Sequence, residues 1–145
     1  LRIFDGDVAT KEVLRVLAPL ATHAIFSKPG FRLFCGKEDV RKSLLQFSAK
    51  FDGCMGVTLG AEGFIWVENG ALRQVYPPQI IAKDTLAAGD VFHGAFAIAM
   101  TEGMSIEQAA MFGCSAAAIK CSRFGGRQGI PFRYEVEALI KATYK

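Results

Sequence analysis

The sequence has few of the features that usually announce a function. It contains one Trp and two His, and its four cysteines stand at 35, 54, 114 and 121. They form no C-x-x-C pair and have no His at ligand spacing, which excludes a zinc site and a disulfide framework as working readings. Free, mostly buried thiols fit a reducing cytoplasm, and a cytoplasmic location is the expectation. No run of residues reaches the length of a membrane span, and "LRIFDGDVATKEV" has no signal-peptide layout, so no membrane association is expected. The net charge of +3 is spread along the chain. Its densest basic clusters, Arg41-Lys42 and Arg123 to Arg127, are short and not interleaved with aromatics, so no nucleic-acid surface is expected. G-x-x-x-x-G-K-[ST] is missing, which excludes a P-loop kinase; G-x-G-x-x-G after the first strand and G-x-S-x-G are missing as well. There is no internal repeat and no low-complexity tract.

What is present is a globular composition: 145 residues, 51% hydrophobic and 21% charged, with twelve Phe to fill a core. "RIFD", "HAIF" and "CMGVTLG" read as buried parallel strands. Thr10 caps "KEVLRVLAPLA", whose Val13, Leu14, Leu17 and Leu20 fall on one helical face. "SKPGFRLFCG" suggests a turn and short helix, and "KEDVRKSLLQFSAKF" a longer one with Val40, Leu44 and Phe47 inward. "GFIWVENGALRQVY" changes to a two-residue period and reads as a hairpin about Asn69-Gly70, the dipeptide favoured in type I′ turns. Pro77-Pro78 breaks the chain, and "QIIA" is expected as a last short strand. A helix follows from about Gly89 to Glu102, stopped by Gly103. Ser105 opens the next helix with an S-x-x-Q capping box. "RFGGRQGIP" reads as a glycine-rich loop, and "FRYEVEALIKATY" as a closing helix. Strands alternating with helices imply a largely parallel sheet covered on both faces, with ligands beyond the carboxyl ends of its strands.

The chemistry concentrates in "KDTLAAGDVFHGAFAIAM", Lys83 to Met100. Ala87, Ala88 and Gly89 bring bare backbone to the first turn of a helix, where N–H groups lack intrahelical partners and the dipole favours an anion. Asp90 places a carboxylate beside that site, able to accept the proton of a hydroxyl attacking phosphorus. The bland reading is that Asp84 and Asp90 are ordinary helix-start acids. The composite D-T-x-A-A-G-D-x-F-x-G-A is more specific than either acid alone.

"DTLAAGDVFHGAF" resembles the second signature of the ribokinase-like (phosphofructokinase B type) carbohydrate kinases, roughly D-T-x-[GA]-A-G-D-x-F, with Asp84, Thr85, Ala88, Gly89, Asp90 and Phe92 matching. The resemblance implies a three-layer α/β/α fold with a mostly parallel central sheet plus a β-hairpin. It also implies that residues 1–145 are the C-terminal, ATP-binding portion of one kinase domain, the sugar-binding half and lid preceding it. Asp90 would be the catalytic base, and the backbone of Ala87 to Asp90 the anion hole. Thr58, Gly60 and Gly63 of "VTLGAEG" would lie near the ATP phosphates and ribose; the lesser reading of T-L-G-x-x-G is a plain strand-to-hairpin turn. Gly113, Cys114 and Ala117 would flank the adenine, although residues so small also suit tight helix packing. Asp84, with carbonyls of Leu86, Arg123 and Gly125, would hold a monovalent cation such as K⁺. ATP, Mg²⁺ and a small sugar are the implied ligands, and the full-length protein is an expected homodimer.

Many relatives carry N-x-x-E where this chain has "SKPG", Ser27 to Gly30. The missing Glu resembles ketohexokinase-like and sulfofructose-kinase-like members and points to a ketose substrate. A vitamin kinase of the pyridoxal or hydroxymethylpyrimidine type, or an inactive nucleotide-binding piece, are the alternatives. His93 and Asp7 read as a packed histidine and a solvated turn acid. Lys28 and Lys37 carry no assignment.

Overall fold

A computed structural model describes residues 1–7 and 9–144, arranged as two compact units, Leu1–Gln74 and Val75–Lys145. The first unit carries the strands β1 (Ile3–Gly6), β2 (His23–Ser27), β3 (Cys54–Thr58), β4 (Phe64–Glu68) and β5 (Ala71–Val75, ending at the unit boundary). They form one sheet in the order β1-β2-β3-β4-β5. β1, β2 and β3 are parallel, with Ile3 opposite His23 and His23 opposite Cys54; β4 then turns antiparallel to β3, with Gly56 opposite Trp66. The sheet is therefore mixed. Its hairpin turn has Asn69 at φ 52° and Gly70 at φ 75°, the two positive values that a type I′ turn requires.

Three helices accompany these strands: α1 (Lys11–Leu17), α2 (Lys28–Cys35) and α3 (Val40–Ser48). Each begins on a side-chain cap, Thr10 for α1, Ser27 for α2 and Asp39 for α3. The core between helices and sheet is aromatic. Phe26 of β2 meets Phe34 at 4.9 Å and Phe31 at 5.5 Å between ring centroids, and Phe34 meets Phe47 at 5.3 Å. Leu14, Val40, Leu44, Met55, Val57 and Ile65 complete this core.

Two sequence expectations are corrected here. Of the four apolar residues assigned to one face of the first helix, only Leu14 is buried; Val13 is 45%, Leu17 41% and Leu20 62% exposed. α1 stops at Leu17, and a 3-10 turn over Ala18–Leu20 with Pro19 inside it breaks the helical period. Ala18 and Ala21 take the inward positions instead. "QIIA" forms no strand, and Ile81 is 86% exposed. Pro78, just before it, has no N–H to donate to a ladder.

The second unit holds three helices: α4 (Ala88–Thr101), α5 (Ile106–Cys121) and α6 (Arg133–Thr143). α4 ends before Gly103, whose φ is 81°. α5 opens on the capping box read from the sequence: Gln108 N–H donates to Ser105 Oγ, and Ser105 N–H to Gln108 Oε1. Glu135 accepts from the Phe132 N–H at the start of α6. Phe92 and Phe96 of α4 are buried with Ala109, Phe112 and Ala116 of α5. Among the described residues, no helix is long and apolar enough to cross a membrane.

Candidate active site

The segment before α4 is suspended from the end of α5. The Cys121 carbonyl accepts the N–H of Lys83 at 2.8 Å and of Asp84 at 3.2 Å. The Asp84 carboxylate ties the segment further: Oδ1 accepts from Leu86 N–H and Oδ2 from Gly125 N–H, both at 2.9 Å. Lys120, in the last turn of α5, is fully buried; its Nζ donates to the Asp84 carbonyl at 2.8 Å and stands 3.5 Å from Oδ2. The Leu86 amide, then the Gly125 amide and the Lys120 charge, hold the Asp84 carboxyl below the usual carboxylate range.

This framework fixes the next residue in an unusual conformation. Ala87, the N-cap of α4, lies in the left-handed region at φ 61° and ψ 15°. Such a backbone costs a non-glycine residue roughly 1–2 kcal/mol. Ala87→Gly is therefore expected to change stability by less than about 1 kcal/mol, because relief of that cost is offset by glycine's greater freedom in the unfolded chain. Urea denaturation checks this; a loss well beyond that limit would show that the Ala87 methyl is itself needed.

The Ala88 N–H donates to the Thr85 carbonyl at 3.2 Å, and the Val91 N–H to the Ala87 carbonyl at 3.0 Å. The amides of Gly89 and Asp90 are then the first-turn donors left for a ligand. Of the amides expected to form the anion hole, Ala87 to Asp90, that of Ala88 is already engaged. Asp90 is exposed on the same turn. It lines a cleft of about 450 Å³ together with Ala87, Gly94, Gly126, Arg127 and Arg133. Arg133 is held in a structural net, with two 2.6 Å bonds to Glu102, one of 2.8 Å to Glu137 and its guanidinium 5.5 Å over the Phe112 ring. His93 bonds the Gly89 carbonyl through Nδ1 at 2.9 Å, the packed role expected for it.

Three of the residues assigned to a monovalent cation, Asp84, Leu86 and Gly125, are hydrogen-bonded together. Leu86 and Gly125 face Asp84 with their N–H groups. The Gly125 carbonyl instead accepts the Gly129 N–H at 3.0 Å. The Arg123 side chain pairs with Glu135. Lys120 went unmarked in the sequence, where one lysine in a helix of small residues reads as a solvated charge.

The nucleotide residues assigned from sequence fall in two places. In the first unit, Thr58 Oγ1 donates to the Phe26 carbonyl at 3.3 Å, while Gly60 and Gly63 have φ of 61° and 85°. The Leu59 N–H donates to the Gly63 carbonyl at 2.7 Å, so both glycines are accounted for by a strand-to-hairpin turn. In the second unit, a Cβ on Gly113 would come within 2.9 Å of the Phe92 ring, so close packing of α4 on α5 explains that glycine. Cys114 is buried, and burial pushes its thiol up to about 12. Ala117 is half-buried on the same helix.

The departure at Ser27 to Gly30 has a steric cause. A Cβ on Gly30 would lie 2.0 Å from the Gly6 carbonyl oxygen and 3.0 Å from that of Asp7. Ser27 Oγ accepts from the Gly30 N–H at 3.1 Å and donates to Asp7 Oδ1 at 2.7 Å, fastening the end of β1 to the start of α2. Lys28 stands 3.9 Å from Glu62, and Lys37 donates to Gln46.

A mixed sheet with flanking helices in one unit, and a helix start bearing open amides and an exposed carboxylate in the other, define an α/β protein. Comparison with known proteins makes this specific. The model of the pfkB family carbohydrate kinases matches residues 2–133, and the chain belongs to that family. It is 37% identical over 101 residues to a ribokinase of Lactococcus lactis subsp. lactis (strain IL1403), an alignment covering 68% of this chain and 33% of that protein. Its fold matches a ribokinase-like protein from Agrobacterium tumefaciens with a TM-score of 0.93 and 43% identity, over 97% of this chain and 47% of the other. Arabidopsis thaliana ribokinase complexed with ribose and ATP gives a TM-score of 0.79 at 24% identity, over 96% and 47%. A double mutant of fructokinase from Vibrio cholerae O395, with fructose, ADP and potassium ion bound, gives 0.81 at 20%, over 90% and 44%. The last two show the fold alone. The chain spans about half the length of these solved structures.

Proposed function

We propose that residues 1–145 are the C-terminal portion of a single kinase domain that transfers the γ-phosphoryl group of ATP to a sugar hydroxyl. The observation that carries this reading is the start of α4, where Asp90 is exposed at a cleft beside the open amides of Gly89 and Asp90. As the sugar oxygen forms its bond to phosphorus, the bond from phosphorus to the ADP oxygen breaks and the hydroxyl proton passes to the Asp90 carboxylate. The two amides and the positive end of a 14-residue helix face the charge that develops on the transferred group. Thr58, Gly60 and Gly63 are the proposed contacts to the phosphates and ribose, and Gly113, Cys114 and Ala117 those to the adenine. Among the described residues, no three His, Cys, Asp or Glu side chains gather as a metal centre. Mg²⁺ would accordingly be held chiefly by the nucleotide's own phosphates.

The absence of a glutamate at Gly30 favours a ketose acceptor such as fructose or a sulfo-sugar. The L. lactis relative favours ribose, and this second reading differs only in the sugar. The test is phosphoryl transfer from ATP by the whole gene product across ketoses, aldopentoses, sulfo-sugars, nucleosides and pyridoxal. Turnover of one sugar identifies the acceptor. Turnover of pyridoxal alone, or of nothing, overturns the sugar-kinase reading.

A further inference from the structure

Burying a lysine is costly unless its charge is matched, and Lys120 is buried completely. Among the described residues, its ammonium reaches Asp84: the carbonyl at 2.8 Å and Oδ2 at 3.5 Å. They belong to the segment that leads into Ala87 and α4. A fixed positive charge is therefore tied to the segment that leads into the turn proposed to receive the phosphoryl group.

The same place is where the family resemblance implies a monovalent cation, and the donor set here does not suit one. Both Asp84 carboxylate oxygens already accept amide protons, from Leu86 and Gly125. The Gly125 carbonyl, one of the implied ligands, already accepts the Gly129 N–H. The Asp84 carbonyl, which could have served as a ligand, is taken by the ammonium itself. A second cation against Asp84 would also stand beside Lys120 in a poorly solvated site, where like charges repel strongly. We infer that Lys120 is the resident cation of this chain, its ammonium replacing the monovalent ion and freeing the enzyme from dependence on potassium. Lys120 touches Asp84 alone among the groups discussed, so it is a positioning residue for the anion hole.

This rests on the kinase reading for its consequence but not for its test. The whole gene product is melted, and assayed for phosphoryl transfer, in KCl, NaCl, CsCl and tetramethylammonium chloride at equal ionic strength. The wild-type Tm should be the same in all four, and the rate should vary by less than about twofold, because only screening remains and it is held constant. Lys120→Ala removes the charge and leaves room for an ion. It should melt earlier in tetramethylammonium, and K⁺ or Cs⁺ should raise its Tm and restore its rate by roughly tenfold or more, as mass action requires of a newly opened ion site.

A wild-type Tm or rate that climbs in K⁺ overturns the inference, as does a Lys120→Ala protein indifferent to all four salts. If Lys120→Ala fails to fold, the wild-type series decides alone. If no sugar is turned over in any salt, the kinase reading fails while the melting curves still answer the cation question.

Discussion

Asp90→Asn should lower the rate of phosphoryl transfer by about 10²–10⁴-fold, the range that a positioned proton acceptor contributes. Asparagine keeps the size of the side chain and its place on the first turn of α4, but it cannot take a proton from the attacking hydroxyl. The Gly89 and Asp90 amides are main-chain groups and remain, so affinity for the nucleotide should be nearly unchanged. Loss of the negative charge at a helix start costs about 0.3–1 kcal/mol, so the melting temperature should fall only slightly. An ordinary helix-start acid predicts the reverse pattern, with a small loss of stability and an intact kcat. Steady-state kinetics beside nucleotide titration on both proteins separates the two; a variant retaining full kcat removes Asp90 from the chemistry.

The second large effect concerns stability. Gly30→Glu would restore the glutamate that many relatives carry, and simple analogy would expect a better enzyme. The structure predicts a damaged protein. The first side-chain atom would arrive 2.0 Å from the Gly6 carbonyl oxygen, a main-chain atom held in register with Phe26 by the β1–β2 pairing. Neither the strand nor the start of α2 can withdraw without breaking the Ser27 bonds to Gly30 and Asp7. Overpacking against main chain should cost about 3 kcal/mol or more, at the upper end of such changes. A Tm lower by roughly 10 °C or more is the expected result for a chain of this size. A Tm within a few degrees of wild type would show that β1 and α2 can separate freely.

What could be read in the sequence was what local chemistry decides. Asn69-Gly70 announces a type I′ turn because few other pairs tolerate two positive φ values, and Ser105 with Gln108 announces a helix start because both atoms of the cap lie within four residues. The Asp84–Asp90 segment is singled out by its likeness to the second signature of the family, because its two acids taken alone read as ordinary helix-start residues. Hidden from that reading was everything fixed at long range. The partner of the buried Lys120 ammonium is Asp84, 36 residues earlier. Gly30 is glycine because of a carbonyl on another strand, and Gly113 because of a phenylalanine on another helix. The inward face of α1 was misjudged where Pro19 changed the period, and "QIIA" where apolar residues lacked a strand to join.

The agreement of strand order with chain order bears on how the protein is made. Among the described strands, each one after β1 pairs with the strand just before it, so these pairings require no part of the chain beyond β5. During synthesis, at about 5–20 residues per second, those pairings can form before the remainder emerges. The turn ahead of α4 has no such option. Asp84 must wait for Gly125, 41 residues downstream, to supply the amide that holds it. The turn proposed to receive the phosphoryl group is thus fastened only once Gly125 has emerged, and a ribosome that stops short of Gly125 releases the strands without that fastening.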